Sequence, residues 1–283
     1  MPANTITLKL TKEQEDRLFS AFCSSAHEPP AYAKWQLRPE NCVITCYESG
    51  KTVFQGKDAE VYAGAFTALQ EERLYPQAGS DEVGTGDFFG PVCVCACIVE
   101  ADDVPFLEAL GVRDSKQITD ETIRKAAPQM TERLKHSLLI VNNRKYNEVH
   151  ETANMNAVKS MLHNQAYLNL SRKAELPALR IIDQFTPEYS YYRYLSSRPE
   201  VIGGIRFETK AENKYLSVAA ASMIARYAFL RSMDAMEETY GMTFVKGAGS
   251  AVDACGREFV RKYGKEKLGD VAKLHFKNTE RIY

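Results

Sequence analysis

The alternation of apolar and polar positions divides the 283 residues into a short leading unit and a longer remainder. Thr5 to Leu10 alternates, with Ile6, Leu8 and Leu10 on one face, as in a half-buried strand. Thr11-Lys12-Glu13-Gln14 matches a capping box, and Leu18, Phe19 and Phe22 follow as a helical apolar stripe. After Pro29-Pro30, strands are predicted over Cys42 to Tyr47 and Thr52 to Gln55, joined through Glu48-Ser49-Gly50-Lys51, whose glycine suits a hairpin turn. Val61, Ala65, Leu69 and Leu74 predict a helix over 57–74. Pro76 to Gly79 breaks that pattern, so 1–76 and 77–283 are predicted as separate domains.

The remainder alternates strand and helix signals, which predicts an α/β layer fold. Buried strands are predicted at Val92 to Val99, Leu138 to Val141 and Leu179 to Ile182. A helix after Asn154 carries Val158, Leu162, Ala166 and Leu170, and a longer one runs from about Tyr215 to Tyr240. Its segment Ala219-Ala220-Ala221-Ser222 is small enough to lie close against a sheet.

Composition narrows the class of protein. Hydrophobic residues at 45% and charged residues at 26% allow a sizeable core. No apolar run approaches the roughly 20 residues of a membrane span, and the start lacks the pattern of a secretion signal. Seven cysteines without dense spacing fit reduced thiols in the cytoplasm, and Cys93, Cys95 and Cys97 read as packed core. The net charge of −1 hides a local +4 from Gly241 to Tyr283 and −2 from Met1 to Pro76.

The candidate chemistry lies in Gly79-Ser80-Asp81-Glu82-Val83-Gly84-Thr85-Gly86-Asp87-Phe88-Phe89-Gly90-Pro91. Two adjacent carboxylates precede a glycine-rich turn that lets a backbone approach a ligand, and no Lys follows to make a nucleotide-binding P-loop. From local sequence alone, Asp81-Glu82 reads equally well as a charged turn or strand end. Asp183 at the end of a predicted strand and Glu212 at the entrance of the long helix favour the functional reading. Four converging carboxylates need a cation, and their hard oxygens suit Mg²⁺ or Mn²⁺. The histidines at 27, 136, 150, 163 and 275 look scattered, with none placed to replace an acid. Trp35, Tyr189, Tyr191, Tyr192 and Tyr194 could stack on bases or simply pack.

These motifs resemble the prokaryotic type 2 ribonucleases H. The resemblance is carried by Asp81 to Pro91, Asp114-Ser115-Lys116-Gln117, Ile182-Asp183-Gln184-Phe185, Lys210-Ala211-Glu212-Asn213-Lys214-Tyr215 with Val218 to Arg226, and Lys273 to Thr279. Glutamate at position 212 and Gly84-Thr85-Gly86 are similar to the ribonuclease HIII branch. The resemblance implies an RNase H-like mixed sheet flanked by helices. It also implies endonucleolytic cleavage of RNA paired with DNA, leaving 5′-phosphate and 3′-hydroxyl ends. Asp81, Glu82, Asp183 and Glu212 would then be catalytic and hold two divalent ions, Mg²⁺ or Mn²⁺. Gly84, Thr85 and Gly86 would read 2′-hydroxyls through the backbone, with Lys116, Lys210 and Lys214 as further substrate contacts.

The leading unit resembles the small α+β TATA-binding-protein half-fold that such enzymes carry. Its expected role is holding the RNA/DNA hybrid, with Lys34, Trp35, Lys51 and Lys57 as candidate contacts, against a purely structural alternative. Val245-Lys246-Gly247-Ala248-Gly249-Ser250 lacks the tyrosine by which ribonuclease HII recognises an RNA–DNA junction. This predicts cleavage within ribonucleotide runs rather than at single embedded ones. The alternatives are HII-like excision of single ribonucleotides, a non-catalytic hybrid-binding protein, and a phosphate-binding loop enzyme. No membrane and no obligate protein partner is expected, and the chain reads as a cytoplasmic monomer.

Overall fold

The computed structural model describes residues 4–64, 74–112 and 118–283. Contacts divide the chain into two units, Met1–Leu74 and Tyr75–Tyr283.

In the first unit, five strands form an antiparallel sheet in the order β1-β5-β4-β3-β2. They are β1 (Thr5–Lys9), β2 (Ala26–His27), β3 (Ala33–Leu37), β4 (Cys42–Tyr47) and β5 (Lys51–Gly56). The predicted hairpin joins β4 to β5, with Gly50 at φ +77°. Thr11 caps α1 (Lys12–Phe22) in a complete capping box, its side chain accepting from the Gln14 N–H. Leu18 is buried with Leu37, Ile44 and Phe54. Phe19 departs from the predicted stripe: it stays 36% exposed and meets Trp35 in a tilted pair, 5.7 Å between ring centres. Of the helix predicted over 57–74, residues 59–64 are helical and 65–73 lie outside the described residues.

The second unit is built on a mixed sheet in the order β10-β9-β6-β7-β8. Its strands are β6 (Gln77–Val83), β7 (Val92–Val99), β8 (His136–Val141), β9 (Leu179–Asp183) and β10 (Ile205–Glu208). β6, β7 and β8 form an antiparallel meander, whereas β9 and β10 run parallel to β6. Val92 to Val99 is buried throughout, as its unbroken apolar run requires. Gly79, read from sequence as part of a break, lies inside β6. A Cβ there would sit 2.3 Å from the Val218 nitrogen, so the glycine lets the sheet meet a helix backbone closely.

Among the described residues, nine helices complete the layers around this sheet. They are α2 (Val104–Ala109), α3 (Asp120–Arg133), α4 (Asn143–His150), α5 (Met155–Ser171), α6 (Glu188–Tyr194), α7 (Leu216–Tyr240), α8 (Ser250–Tyr263), α9 (Leu268–Val271) and α10 (Asn278–Ile282). Helix α7 lays Ala219, Ala220 and Ala221 on one sheet face, where Cys93, Cys95 and Cys97 join its core. On the other face, Tyr167 and Leu170 of α5 pack with Ala78, Val94 and Ile182. Side chains alternate across a strand, so each β6 residue belongs to one core or the other. That alternation sorts the acids.

Candidate active site

Asp81 and Glu82 lie within β6 rather than in the turn after it. Ser80 pairs with Ile182 across the parallel β6–β9 ladder, so the next step of the register brings Asp81 beside Asp183. Both therefore face the α7 side, opposite to Ser80 and Ile182, while Glu82 faces the α5 side. Glu212 joins from the 3₁₀ turn Ala211–Asn213 ahead of α7. One Asp183 oxygen (Oδ1) accepts the Ala211 N–H at 2.8 Å, which ties that turn to the end of β9.

The electrostatics follow this sorting. Burial, then the charge of Glu82, pushes the Asp81 carboxyl up to about 8, with Asp183 adding to the effect. Burial likewise raises Asp183; the Ala211 N–H offsets part of this, while Glu212 and Glu82 reinforce it. Glu212 Oε2 is buried without a hydrogen-bond partner. An acid pushed up by burial and by neighbouring charge, and an orphaned buried carboxylate oxygen, fit a divalent cation, whose charge would relieve both. Among the described residues, no three His, Cys, Asp or Glu side chains are already closed into a metal-holding group. Asp81 Oδ1 accepts the Glu82 N–H at 2.8 Å, so the oxygens of Asp81 and Asp183 each meet a backbone donor.

Glu82 has found such donors. Its Oε1 pairs with the Lys159 ammonium, and His163 Nε2 donates to its Oε2 at 2.8 Å. Burial alone would raise this carboxyl, but His163 and Lys159 outweigh burial and hold it below the usual range. His163 is fully buried and meets Ser80 Oγ through Nδ1 at 2.6 Å. Phe185 stacks on the imidazole at 5.3 Å and lies 4.0 Å from the Lys159 ammonium. His163 therefore stands beside an acid, contrary to the scattered pattern read from sequence, as a hydrogen-bond partner of Glu82.

The glycine-rich loop is held from behind. Lys273, fully buried, donates to the carbonyls of Asp87 at 2.8 Å and Gly90 at 2.5 Å, and its own N–H to Phe88 O. Burial lowers this amine to about 7, with Asp87 opposing the shift. Asn143 Nδ2 also donates to Gly90 O, and the Gly247 N–H donates to Asp87 Oδ1 at 2.6 Å. The tyrosine-free stretch from Val245 to Ser250 thus docks on the loop. Gly84 is required by the fold: its φ is +94°, and a Cβ would sit 2.2 Å from Pro91 O. Gly86 is exposed, with nothing within 4 Å of a Cβ placed there.

The remaining expected contacts are dispersed. Lys116 lies outside the described residues. Lys210 adopts a left-handed φ of 55°, and Lys214 is paired with Glu208. Thr85 lies half-exposed between the two glycines. Tyr191 is core, whereas Tyr189 is 75% exposed.

Comparison with known proteins agrees with this architecture. The family described as ribonuclease HII matches residues 78–279, and a domain of unknown function (DUF3378) matches residues 5–78. Ribonuclease HIII of Bacillus cereus is 40% identical over 92% of this chain and 91% of its own. That of Exiguobacterium sibiricum is 37% identical over 98% of this chain and 96% of its own. The crystal structure of Bst-RNase HIII in complex with Mn²⁺ superposes with a TM-score of 0.74 at 35% identity, covering 99% of this chain and 98% of that one. The second unit thus carries the mixed sheet of a type 2 ribonuclease H. The chain belongs to the ribonuclease HII family, and within it to the ribonuclease HIII proteins.

Proposed function

We propose that this protein hydrolyses the RNA strand of RNA/DNA hybrids, using Asp81, Asp183 and Glu212, with Glu82 beside them, to hold divalent ions. The observation that supports the reading is the parallel β6–β9 register, which sets Asp81 beside Asp183 one step beyond Ser80 and Ile182, together with the buried Glu212 oxygen that has no hydrogen-bond partner. When bound, Mg²⁺ or Mn²⁺ supplies Lewis acidity for in-line attack of water on a phosphodiester and for the leaving oxygen. The protein's own part is to fix three carboxylates on rigid elements, so that little reorganisation accompanies the reaction. The expected products carry 5′-phosphate and 3′-hydroxyl ends.

The loop from Gly84 to Gly90 supplies the sugar discrimination. Exposed Gly86 leaves its backbone open to close approach by a 2′-hydroxyl, which distinguishes RNA from DNA. Since Val245 to Ser250 brings no tyrosine to this loop, runs of ribonucleotides are the favoured substrate over single embedded ones. The N-terminal unit, residues 1–76 in this reading, holds the hybrid and resembles a TATA-binding-protein half-fold. Lys34 is paired with Glu15 at 2.7 Å, which leaves exposed Lys51 and Lys57 of the expected cations to serve. The protein acts as a cytoplasmic monomer, and among the described residues no helix is long and apolar enough to cross a membrane.

Incubation with a labelled RNA/DNA hybrid, with and without Mg²⁺ or Mn²⁺, tests the activity. Metal-dependent cuts within the RNA strand are expected, and hybrid binding without cleavage would leave a binding protein. Removal of residues 1–76 is expected to raise the Michaelis constant at least tenfold, and an unchanged constant would make the unit structural.

A further inference from the structure

The two oxygens of Glu82 are not equivalent to those of the other acids, because both are already engaged by cationic or N–H donors from one helix. Lys159 and His163 are four residues apart on α5 and so project from the same face. The Lys159 side chain is only 11% exposed, and its ammonium sits over the Phe185 ring while pairing with Glu82. Phe185 follows Asp183 by two residues, so the clamp is braced by the segment that leaves the strand supplying the second acid. A buried ammonium is costly unless paired, and this one sits within interaction distance of both Glu82 and Asp183.

We propose that Lys159 is the resident counter-charge of the acidic site: it neutralises Glu82 within the protein and thereby sets how strongly the free enzyme binds a divalent cation. His163 is the positioning residue that fixes the direction of Glu82, itself anchored through Ser80. The inference rests on the acidic-site reading above. With Lys159 in place, one unit of the cluster's negative charge is cancelled, and metal affinity is held down until substrate phosphate adds its own charge. Without Lys159, Glu82 adds its charge to Asp81, Asp183 and Glu212. Metal should then bind the free protein more tightly, while loss of the fixed Glu82 orientation slows cleavage. A merely structural lysine would not move these two quantities in opposite directions.

The test is Mn²⁺ binding to the full-length protein without nucleic acid, followed by electron paramagnetic resonance of free Mn²⁺, alongside turnover of a hybrid. Lys159→Met is expected to tighten Mn²⁺ binding about tenfold and to lower kcat at least tenfold. Lys159→Arg, which keeps the charge, should stay within about threefold of the parent in Mn²⁺ affinity. In a Glu82→Gln background, Lys159→Met should change Mn²⁺ affinity much less than in the parent. A folded Lys159→Met protein whose Mn²⁺ affinity is unchanged or weaker overturns the inference. Should Lys159→Met fail to fold, recovery of folding in the Lys159→Met/Glu82→Gln double variant supports the counter-charge, and no recovery overturns it. Asp81→Asn separates the two layers. If it loses Mn²⁺ binding and cleavage while Lys159→Met leaves affinity unchanged, only the counter-charge fails; if it keeps both, the site reading fails and takes the inference with it.

Discussion

Asp81 and Glu82 are neighbours in the chain, yet they occupy opposite sides of one sheet and opposite electrostatic conditions. Glu82 faces α5, where an ammonium and an imidazole take its two oxygens and keep it ionised. Asp81 faces α7, beside Asp183, where burial and like charge push it up to about 8. The difference comes from the pleat: consecutive side chains on a strand point apart, so an acidic dipeptide is divided between two environments. One acid is satisfied by the fold, and the other is left strained in a way that a divalent ion would relieve.

The largest expected effect comes from removing the acids on the α7 side. Asp81→Asn or Asp183→Asn should reduce hybrid cleavage by a factor of about 10³ or more with hybrid binding kept, measured by turnover and by filter binding. The same comparison predicts opposite signs in the melting of metal-free protein. Because Asp81 titrates higher folded than unfolded, its ionisation destabilises the fold progressively as pH rises from about 4 towards 8. Asp81→Asn should therefore raise the melting temperature at pH 8, whereas Glu82→Gln strands Lys159 and should cost about 3 kcal/mol. If both substitutions shift melting the same way, the two sides are not electrically distinct.

A second contrast lies within the loop. Gly84→Ala meets Pro91 O at 2.2 Å and should cost about 2 kcal/mol or more in stability. Gly86→Ala meets nothing and should leave stability within about 0.5 kcal/mol, yet lower kcat/KM on hybrid at least tenfold. Unimpaired cleavage by Gly86→Ala would remove the backbone of Gly86 from sugar recognition. The smallest effect is a control outside the acids. Burial, then His150 and Lys273, lowers His275 to about 4. The fold then binds fewer protons than the unfolded chain between pH 6.5 and 4, so stability falls as pH drops through that window. As the ring also reaches solvent, the loss should stay below about 1 kcal/mol. His275→Phe should flatten it in acid melting curves without altering Mn²⁺ affinity.

These environments were unequally legible in the sequence. Val92 to Val99 is an unbroken apolar run, and burial on both faces is the structure such a run demands. Its partner, Gln77 to Val83, contains glycine, serine and two acids, and no periodicity marks it as a strand. Its extended form follows from pairing with β7 and β9. Helix α3 carries Pro128, which hides it from pattern reading, while the short strand Ile205–Glu208 exists through its parallel partner. The four acids were recognisable by their motifs, but the environment of Glu82 was not, since its partners lie some eighty residues away. One sequence signal was available: Lys159 and His163 each follow a member of the predicted apolar stripe, Val158 and Leu162, and so border the buried face of their helix. Polar residues four apart at that border point inward, and an inward lysine needs an acid.

The staple formed by Lys273 has a consequence for changing which sugar this enzyme prefers. The path of the main chain between Gly84 and Gly90 is held by hydrogen bonds from Lys273, Asn143 and Gly247, all remote in sequence. Exchanging Thr85 alters only what decorates that path. An engineer seeking tolerance for arabinose or 2′-fluoro sugars would do better to vary the three anchors, because small shifts there would reshape the peptide planes to which the proposed function assigns selectivity.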